Sequence, residues 1–303
     1  MTNSFSIPTY LLVISLTYCL CLYWLYLRVQ RRVDDKNHTV NALQTSSLNG
    51  SFNISVSFAM DLALAIMISG FIGARAFHIF YENFSYYQQT PIDVFKIWQG
   101  GFVYYGGLLA ALASTVVYLR LKKQSFARWA DLLAPILSLG YALGRIGCFL
   151  NGCCYGAECP LPGCTIWGHA WSVEFIYPGL PEGLLHPTQL YAVFWELTVV
   201  AVLLLIERKI LQAQKTLQAK SAVFENSVAS GTSLATRIAW PGFLFTLWIL
   251  LHSIGRMIME VFREDFRGEL IFGLSISLWI SLLLLMSALA IIAKKSLWPR
   301  PTF

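Results

Sequence analysis

Long apolar runs separated by short polar ones dominate this sequence, and their length selects the structural element. A helix needs about 20 largely apolar residues to cross the hydrocarbon of a bilayer. Seven runs meet that length: Pro8 to Leu27, Val56 to Tyr81, Gly101 to Leu121, Leu132 to Leu150, Thr188 to Ile206, Ala239 to Met259 and Ile271 to Ala293. The pattern therefore predicts an all-α, polytopic membrane protein with seven transmembrane helices, forming a single integral domain over residues 1–303. Two polar stretches interrupt it. Residues 212–236 carry Lys, Gln, Ser and Gly in a linker-like composition and predict little fixed structure. Residues 153–186 are rich in Gly, Pro and Cys and hold no Lys or Arg, which predicts an ordered cap.

Composition supports the membrane reading. Of 303 residues, 56% are hydrophobic and 13% charged, against about 25% charged in an average soluble domain. A soluble single-domain enzyme, a coiled coil and a disordered chain are all poor fits. The net charge of +6 raises nucleic acid as a partner until the cations are placed. Sixteen of the 22 Lys and Arg fall in alternate segments, among them Arg28 to Lys36, Arg120 to Arg128, Arg208 to Arg237 and Lys294 to Arg300; three fall in the opposite segments and three within spans. Positive charge stays on the cytoplasmic side, so the N-terminus is expected outside and the C-terminus inside. The charge is a topology signal, and no nucleic-acid partner is expected. No cation precedes the first run and four follow it, so it reads as a retained span and not a cleaved signal peptide.

Ionisable groups inside spans cost about 2.5 to 3.5 kcal/mol each at the helix centre on insertion scales, so each asks for a reason. In the expected orientation polar groups of six helices gather at one level near the outer face: Tyr10, Arg75, Tyr105, Arg145, Gln189, Tyr191, His252, Arg256 and Glu260. Tyrosines there also serve as interfacial belt residues, and a single arginine can snorkel to the surface. His252, Arg256 and Glu260 are spaced by four and share one helix face. Arginine suits phosphate because its planar fork donates two hydrogen bonds and keeps its charge in a dry site. Several convergent arginines at headgroup depth point to an anionic phospholipid. Gly106 and Gly107, with Gly100 and Gly101, remove side chains where a helix or a lipid presses against backbone.

Four segments then carry a family resemblance: Gly144-Arg-Ile-Gly-Cys-Phe-Leu-Asn-Gly-Cys-Cys-Tyr-Gly156, His186-Pro-Thr-Gln-Leu-Tyr191, Gly100-Gly-Phe-Val-Tyr-Tyr-Gly-Gly107 and Arg256-Met-Ile-Met-Glu-Val-Phe-Arg263. Running in the family's order along the chain, from about Tyr10 to about Leu284, these segments make the chain resemble the bacterial prolipoprotein diacylglyceryl transferases. The resemblance implies an inner-membrane enzyme, active toward the periplasm. Its reaction moves a diacylglyceryl group from phosphatidylglycerol to the lipobox cysteine of a prolipoprotein and releases glycerol phosphate. It carries family positions onto Tyr10, Arg75, Arg145, Asn151, Gly156, Arg256 and Glu260. The chain departs where the family has His before the Gly-Gly pair, having Tyr105, and where the family has Tyr before the second arginine, having His252. Because His titrates near neutral pH, the proton-accepting role is expected on His252, with Tyr105, Arg145 and Arg256 completing the catalytic set. The other readings are a phospholipid-binding or transport protein without chemistry, and a transferase with a different acceptor.

The cysteines stay open. Cys19 and Cys21 read as apolar fillers in the first span. Cys148, Cys153, Cys154, Cys159 and Cys164 cluster near the end of the fourth span, where the expected compartment permits disulfides. One or two loop-stapling disulfides are favoured over zinc, since paired CxxC motifs are lacking. No metal and no cofactor are expected. His186 is expected to orient Gln189 or cap a helix.

Overall fold

The structure is a computed structural model and describes residues 9–42, 55–82, 84–96, 101–158, 165–166, 169–170, 173–174, 184–223, 240–263 and 274–297. Eight α-helices are found among them: α1 (Thr9–Ala42), α2 (Val56–Phe77), α3 (Phe84–Gln89), α4 (Tyr104–Leu121), α5 (Phe126–Leu150), α6 (Thr188–Val223), α7 (Phe243–Val261) and α8 (Ile276–Leu297). Six helical segments are long and apolar enough to cross a membrane, and the shorter apolar helix Tyr105–Leu121 occupies the predicted third span. At about 1.5 Å per residue this helix alone runs a few ångströms short of the hydrocarbon thickness. The chain divides into two compact units, Leu22–Trp129 and the remainder.

In the unit Leu22–Trp129, α2 and α4 lie against each other through glycine. A Cβ on Gly73 would sit 2.2 Å from Ala110 Cβ and 2.6 Å from the Gly106 carbonyl oxygen. A Cβ on Gly106 would meet Phe77 Cβ at 2.2 Å, and one on Gly107 the Gly70 carbonyl oxygen at 3.0 Å. Small residues let backbones approach closely where the solvent is lipid and hydrophobic driving force between helices is lacking. Trp129 is fully buried against Phe58, ring centroids 4.9 Å apart.

In the other unit, α5 is the most enclosed span, 39% buried, whereas α8 is 11% buried and presents Leu283, Met286 and Leu289 outward. Ala134 on α5, Val199 and Leu203 on α6, and Leu244 on α7 form a buried apolar cluster. Asp131 on α5 fixes the start of α7 by accepting hydrogen bonds from Gly242 N (2.7 Å) and Phe245 N (3.0 Å), which satisfies donors that every helix N-terminus leaves unpaired. The cap region holds two short antiparallel pairs, β1 (Thr165–Ile166) with β2 (His169–Ala170) and β3 (Val173–Glu174) with β4 (Leu184–Leu185).

Two boundaries differ from the sequence expectation. α1 runs on to Ala42, and α6 carries its helix through Val223, so residues 212–223 of the expected linker are helical. Gln, Lys, Leu and Ala there are strong helix formers, and the polarity that marked the segment as a linker marks only its departure from lipid. The rest of that stretch, most of the cap, and Cys159 and Cys164 lie outside the described residues.

Candidate functional site

Three helices of the second unit converge on one polar cluster. Ser138, Tyr141 and Arg145 lie three, then four residues apart on α5 and share a face. Glu196 comes from the middle of α6 and His252 from α7. His252 Nδ1 is 2.6 Å from Glu196 Oε1, and Ser138 Oγ donates to Glu196 Oε2 at 2.5 Å. Glu196 is 2% exposed, and a buried carboxylate persists only when its oxygens are hydrogen-bonded. Both are. Tyr141 packs edge-on against the His252 ring, centroids 4.8 Å apart and planes at 88°. Trp248 covers the ring from a second side at 5.4 Å.

Tyr141 links the histidine to the arginines. Arg145 donates from one guanidinium nitrogen to the Tyr141 hydroxyl at 2.7 Å and lies over its ring. Arg256 lies within electrostatic range of Tyr141, Arg145, Glu260 and Arg263. It donates to Ser277 Oγ on α8 and reaches Glu260 Oε2 at 3.5 Å, while Ser275 Oγ donates to the other oxygen of Glu260. Among the described residues, no carboxylate pairs with Arg145. Tyr141, Ala192, Trp195, Glu196, Gly255, Arg256 and Met259 line a small cleft. Gly255 admits the Trp195 indole, whose Nε1 donates to Leu251 O at 3.0 Å. A Cβ at Gly255 would fall 2.2 Å from that nitrogen.

The end of α5 builds the adjoining loop. Gly152 N donates to Phe149 O (3.1 Å) and Cys153 N to Cys148 O (3.0 Å), with Gly152 at φ 64°. This pair of bonds with a left-handed glycine is a helix-terminating cap. It turns Cys153 back over Cys148, and Cys154, at φ 65°, continues the reversal. All three are free thiols, and their sulfurs lie within 4.8 Å of one another. The expected disulfides are not formed among the described cysteines. The Cys154 thiol is held well below the ordinary thiol range by hydrogen bonds from Cys148 and Cys153, with the charges of Arg145 and Arg263 adding to the effect.

The start of α6 clamps this loop. Gln189, 1% exposed, donates from Nε2 to Cys153 O at 2.6 Å, and Thr188 Oγ1 donates to Cys154 O at 2.8 Å. His186 Nδ1 is 3.2 Å from the Tyr191 hydroxyl, and both rings pack on Phe262. Asn151 is exposed at the end of α5, within hydrogen-bond reach of the Cys153 thiol. Gly156 is the meeting point of three segments. Its N donates to His186 O (2.8 Å), and a Cβ there would fall 2.4 Å from Phe262 O.

Of the other expected site residues, Arg75, Tyr105, Gly106 and Gly107 belong to the unit Leu22–Trp129. Arg75, 6% exposed, donates to the carbonyls of Val94 (3.3 Å), Gly101 (3.3 Å), Asp93 (2.9 Å) and Lys96 (3.4 Å). It holds the segment after α3 in place. Tyr105 is 39% exposed at the start of α4, and Gly106 and Gly107 serve the packing of α4 on α2. Tyr10 stands in the first turn of α1. Glu196, Ser138 and Tyr141 were not expected. A lone acidic residue in the apolar run from Thr188 to Ile206 is the signal that marks Glu196.

A helical membrane protein in which two arginines and a histidine hydrogen-bonded to a buried glutamate gather around one tyrosine has groups suited to binding an anionic lipid and moving a proton. The sequence model of the prolipoprotein diacylglyceryl transferase family matches residues 1–226, and the chain belongs to that family. A phosphatidylglycerol-prolipoprotein diacylglyceryl transferase of Symbiobacterium thermophilum is 30% identical over 223 residues, 72% of this chain and 69% of the relative. The enzymes of that name from Bifidobacterium adolescentis and Corynebacterium diphtheriae are 30% and 28% identical, over 74% and 73% of this chain and 61% and 72% of their own. The chain thus aligns with about three fifths to seven tenths of these relatives' lengths.

Proposed function

We propose that this protein transfers the diacylglyceryl group of phosphatidylglycerol to the lipobox cysteine of prolipoproteins, at the periplasmic side of the bacterial inner membrane. The observation that carries this reading is the convergence of His252, bound to Glu196, and the two arginines on Tyr141, in a chain of this family. An incoming thiol, with an ordinary pKa of about 8.5, must lose its proton to become a nucleophile. With Nδ1–H donated to Glu196, the lone pair of His252 Nε2 is left to accept that proton. The thiolate sulfur then bonds to the glycerol carbon as the bond from that carbon to the phosphate oxygen breaks. The electron pair leaves on the phosphate.

Arg145 and Arg256 are placed to neutralise that departing charge, and fixed donors in a dry cleft are worth more there than in water. Arg145 lacks a carboxylate partner among the described residues, which leaves its charge for a phosphoester. Glu260 and Ser277 orient Arg256. Gln189, Tyr191, Asn151 and Gly156 shape the loop that follows α5, and Arg75, Gly106 and Gly107 build the other unit. The cationic inner segments set the orientation, with the N-terminus outside.

The test incubates purified protein with labelled phosphatidylglycerol and a lipobox peptide. Release of glycerol phosphate together with a thioether-linked lipid on the peptide cysteine supports the reading. Binding of the lipid without either product refutes it and leaves a lipid-binding protein.

A further inference from the structure

The three thiols at the end of α5 have no role in the reaction just described. They are nevertheless held together by the backbone. Cys153 N on Cys148 O, Gln189 Nε2 on Cys153 O and Thr188 Oγ1 on Cys154 O fix the three residues independently of their sulfurs. The left-handed Cys154 (φ 65°) is a conformation that costs a non-glycine residue about 1 kcal/mol or more, and here it aims a third sulfur at the other two.

The spacing of the sulfurs matches metal coordination. Zinc-thiolate bonds of about 2.3 Å place sulfurs about 3.8 Å apart in a tetrahedron and about 4.0 Å apart in a trigonal plane. All three sulfurs here lie within 4.8 Å of one another, and among the described residues no histidine or carboxylate joins them. An all-thiolate set selects soft, thiophilic ions over magnesium, calcium or manganese. Three thiolates around a divalent ion carry one net negative charge. Arg145 and Arg263 both act electrostatically on Cys154 and offset it.

We propose that Cys148, Cys153 and Cys154 bind one zinc(II) ion as a tris-thiolate site, whose fourth position takes the thiol of the incoming protein substrate. The second half of this statement rests on the transferase reading. Zinc sites with three protein ligands keep an open position, and a thiol bound to such an ion is deprotonated. The protons still held by the three thiols leave when the ion enters. One more leaves the substrate thiol when its sulfur joins the metal, and passes to His252. Cys154 borders Arg145 electrostatically, so the bound sulfur would stand beside the arginine assigned to the phosphate. The sulfur lone pair then forms the bond to glycerol carbon, and the resulting thioether, a poorer ligand, leaves the metal. The ion is unchanged in charge throughout.

The experiment measures zinc in the full-length protein, purified in detergent under reductant and equilibrated with zinc(II), then washed of loosely held metal. One ion per chain is expected in the wild type and in Cys19→Ser and Cys21→Ser, whose sulfurs lie elsewhere on α1. The triple variant Cys148→Ser, Cys153→Ser, Cys154→Ser is expected to hold none, and Cys153→Ser or Cys154→Ser alone to bind at least tenfold more weakly. Cobalt(II) in place of zinc should give thiolate-to-cobalt charge-transfer absorption. That band should shift on adding a lipobox peptide and stay unmoved by the same peptide with serine for cysteine. Equal zinc in wild type and triple variant, absence of the cobalt band, or a disulfide among the three cysteines in protein isolated without reductant would overturn the site. A band indifferent to the peptide, or full transfer activity in the triple variant, overturns the substrate-thiol role. Zinc bound with no transfer by any form leaves the metal site standing and removes the transferase reading instead.

Discussion

His252 on α7 and Glu196 on α6 form a 2.6 Å hydrogen bond whose acidic partner is 3% exposed at its side chain. Such a pair fixes which imidazole nitrogen keeps its proton, and so which one is available as a base. Glu196→Gln preserves the shape and removes the charge. We expect kcat to fall about a hundredfold, within the range typical for loss of a positioned base, with KM for the lipid little changed. His252→Asn should lose a similar factor. The double variant should lose little more than either single change, because residues acting as one unit are not additive. Additive losses in this cycle would mean that Glu196 and His252 act separately, and a proportional rise in KM would assign Glu196 to lipid binding.

Arg145 is tied to Tyr141 by a single 2.7 Å bond, which leaves most of its five donors for a ligand. Arg145→Lys keeps the charge and loses the planar fork. Turnover should drop by about a hundredfold, the scale seen when one donor to a developing anion is removed. Tyr141→Phe should cost less, since the arginine retains its surroundings. A lysine variant with wild-type turnover would show that charge alone suffices and that no bidentate grip on phosphate operates.

The helical architecture was legible because lipid enforces a simple rule: apolar runs of sufficient length become spans. The closeness of Arg145, Arg256 and Glu260 to one another, and of His252 to Tyr141, was legible for the same reason, since each is a polar group at one depth of an apolar run. The same rule applied to Glu196 points to it directly, but a single acid surrounded by Leu and Val carries no spacing signal, and its histidine partner lies 56 residues away in the chain. Ser138 and Tyr141 are ordinary residues in a helix, and only the crossing of α5 with α6 and α7 gives them partners. Arg75 shows what depth alone does not reveal. Its depth resembled that of Arg145, yet its donors meet four carbonyls of the following segment, a use that depends on loop geometry absent from any periodicity. The convergence of Cys148 with Cys153 and Cys154 depends on a reversal at Gly152, which spacing rules based on paired CxxC motifs do not anticipate.

The segment that Arg75 holds has its own electrostatic latch. Asp93 accepts from the Tyr86 hydroxyl at 2.5 Å and lies 2.6 Å from Lys96 Nζ. The Lys96 hydrogen bond, then that of Tyr86, holds the Asp93 carboxyl below the usual carboxylate range. A folded-state value below the unfolded value of about 3.9 means that the added stability is fully present above that pH. It is lost as pH falls through the lower folded-state value. Hydrogen exchange of residues 84–96 should therefore be independent of pH-driven opening from pH 7 to 5, after correction for intrinsic rates, and gain an opening step only in acid. Asp93→Asn should show the open behaviour at every pH. An opening step already present near pH 6 in the wild type would assign the latch to another group.

Gly156 and Gly144 stand in the same signature and make opposite demands on space. A Cβ at Gly156 would lie 2.4 Å from Phe262 O, 2.7 Å from His186 Cβ and 2.7 Å from Thr188 Cγ2. The backbone around it cannot yield cheaply, because Gly156 N is bonded to His186 O at 2.8 Å and Ala157 N to Phe262 O at 2.9 Å. Gly156→Ala must therefore pull apart the loop, the start of α6 and the end of α7, at a cost at or above the roughly 1 to 3 kcal/mol typical of overpacking. At Gly144 a Cβ would meet nothing within 4 Å, and the position lies inside α5, where alanine is favoured over glycine by about 1 kcal/mol. Thermal unfolding followed by tryptophan fluorescence in detergent should show Gly156→Ala melting several degrees lower and Gly144→Ala at or above the wild type. If both variants melt alike, the crowding at Gly156 is relieved by a local shift, and the three segments do not meet there as tightly as the structure places them.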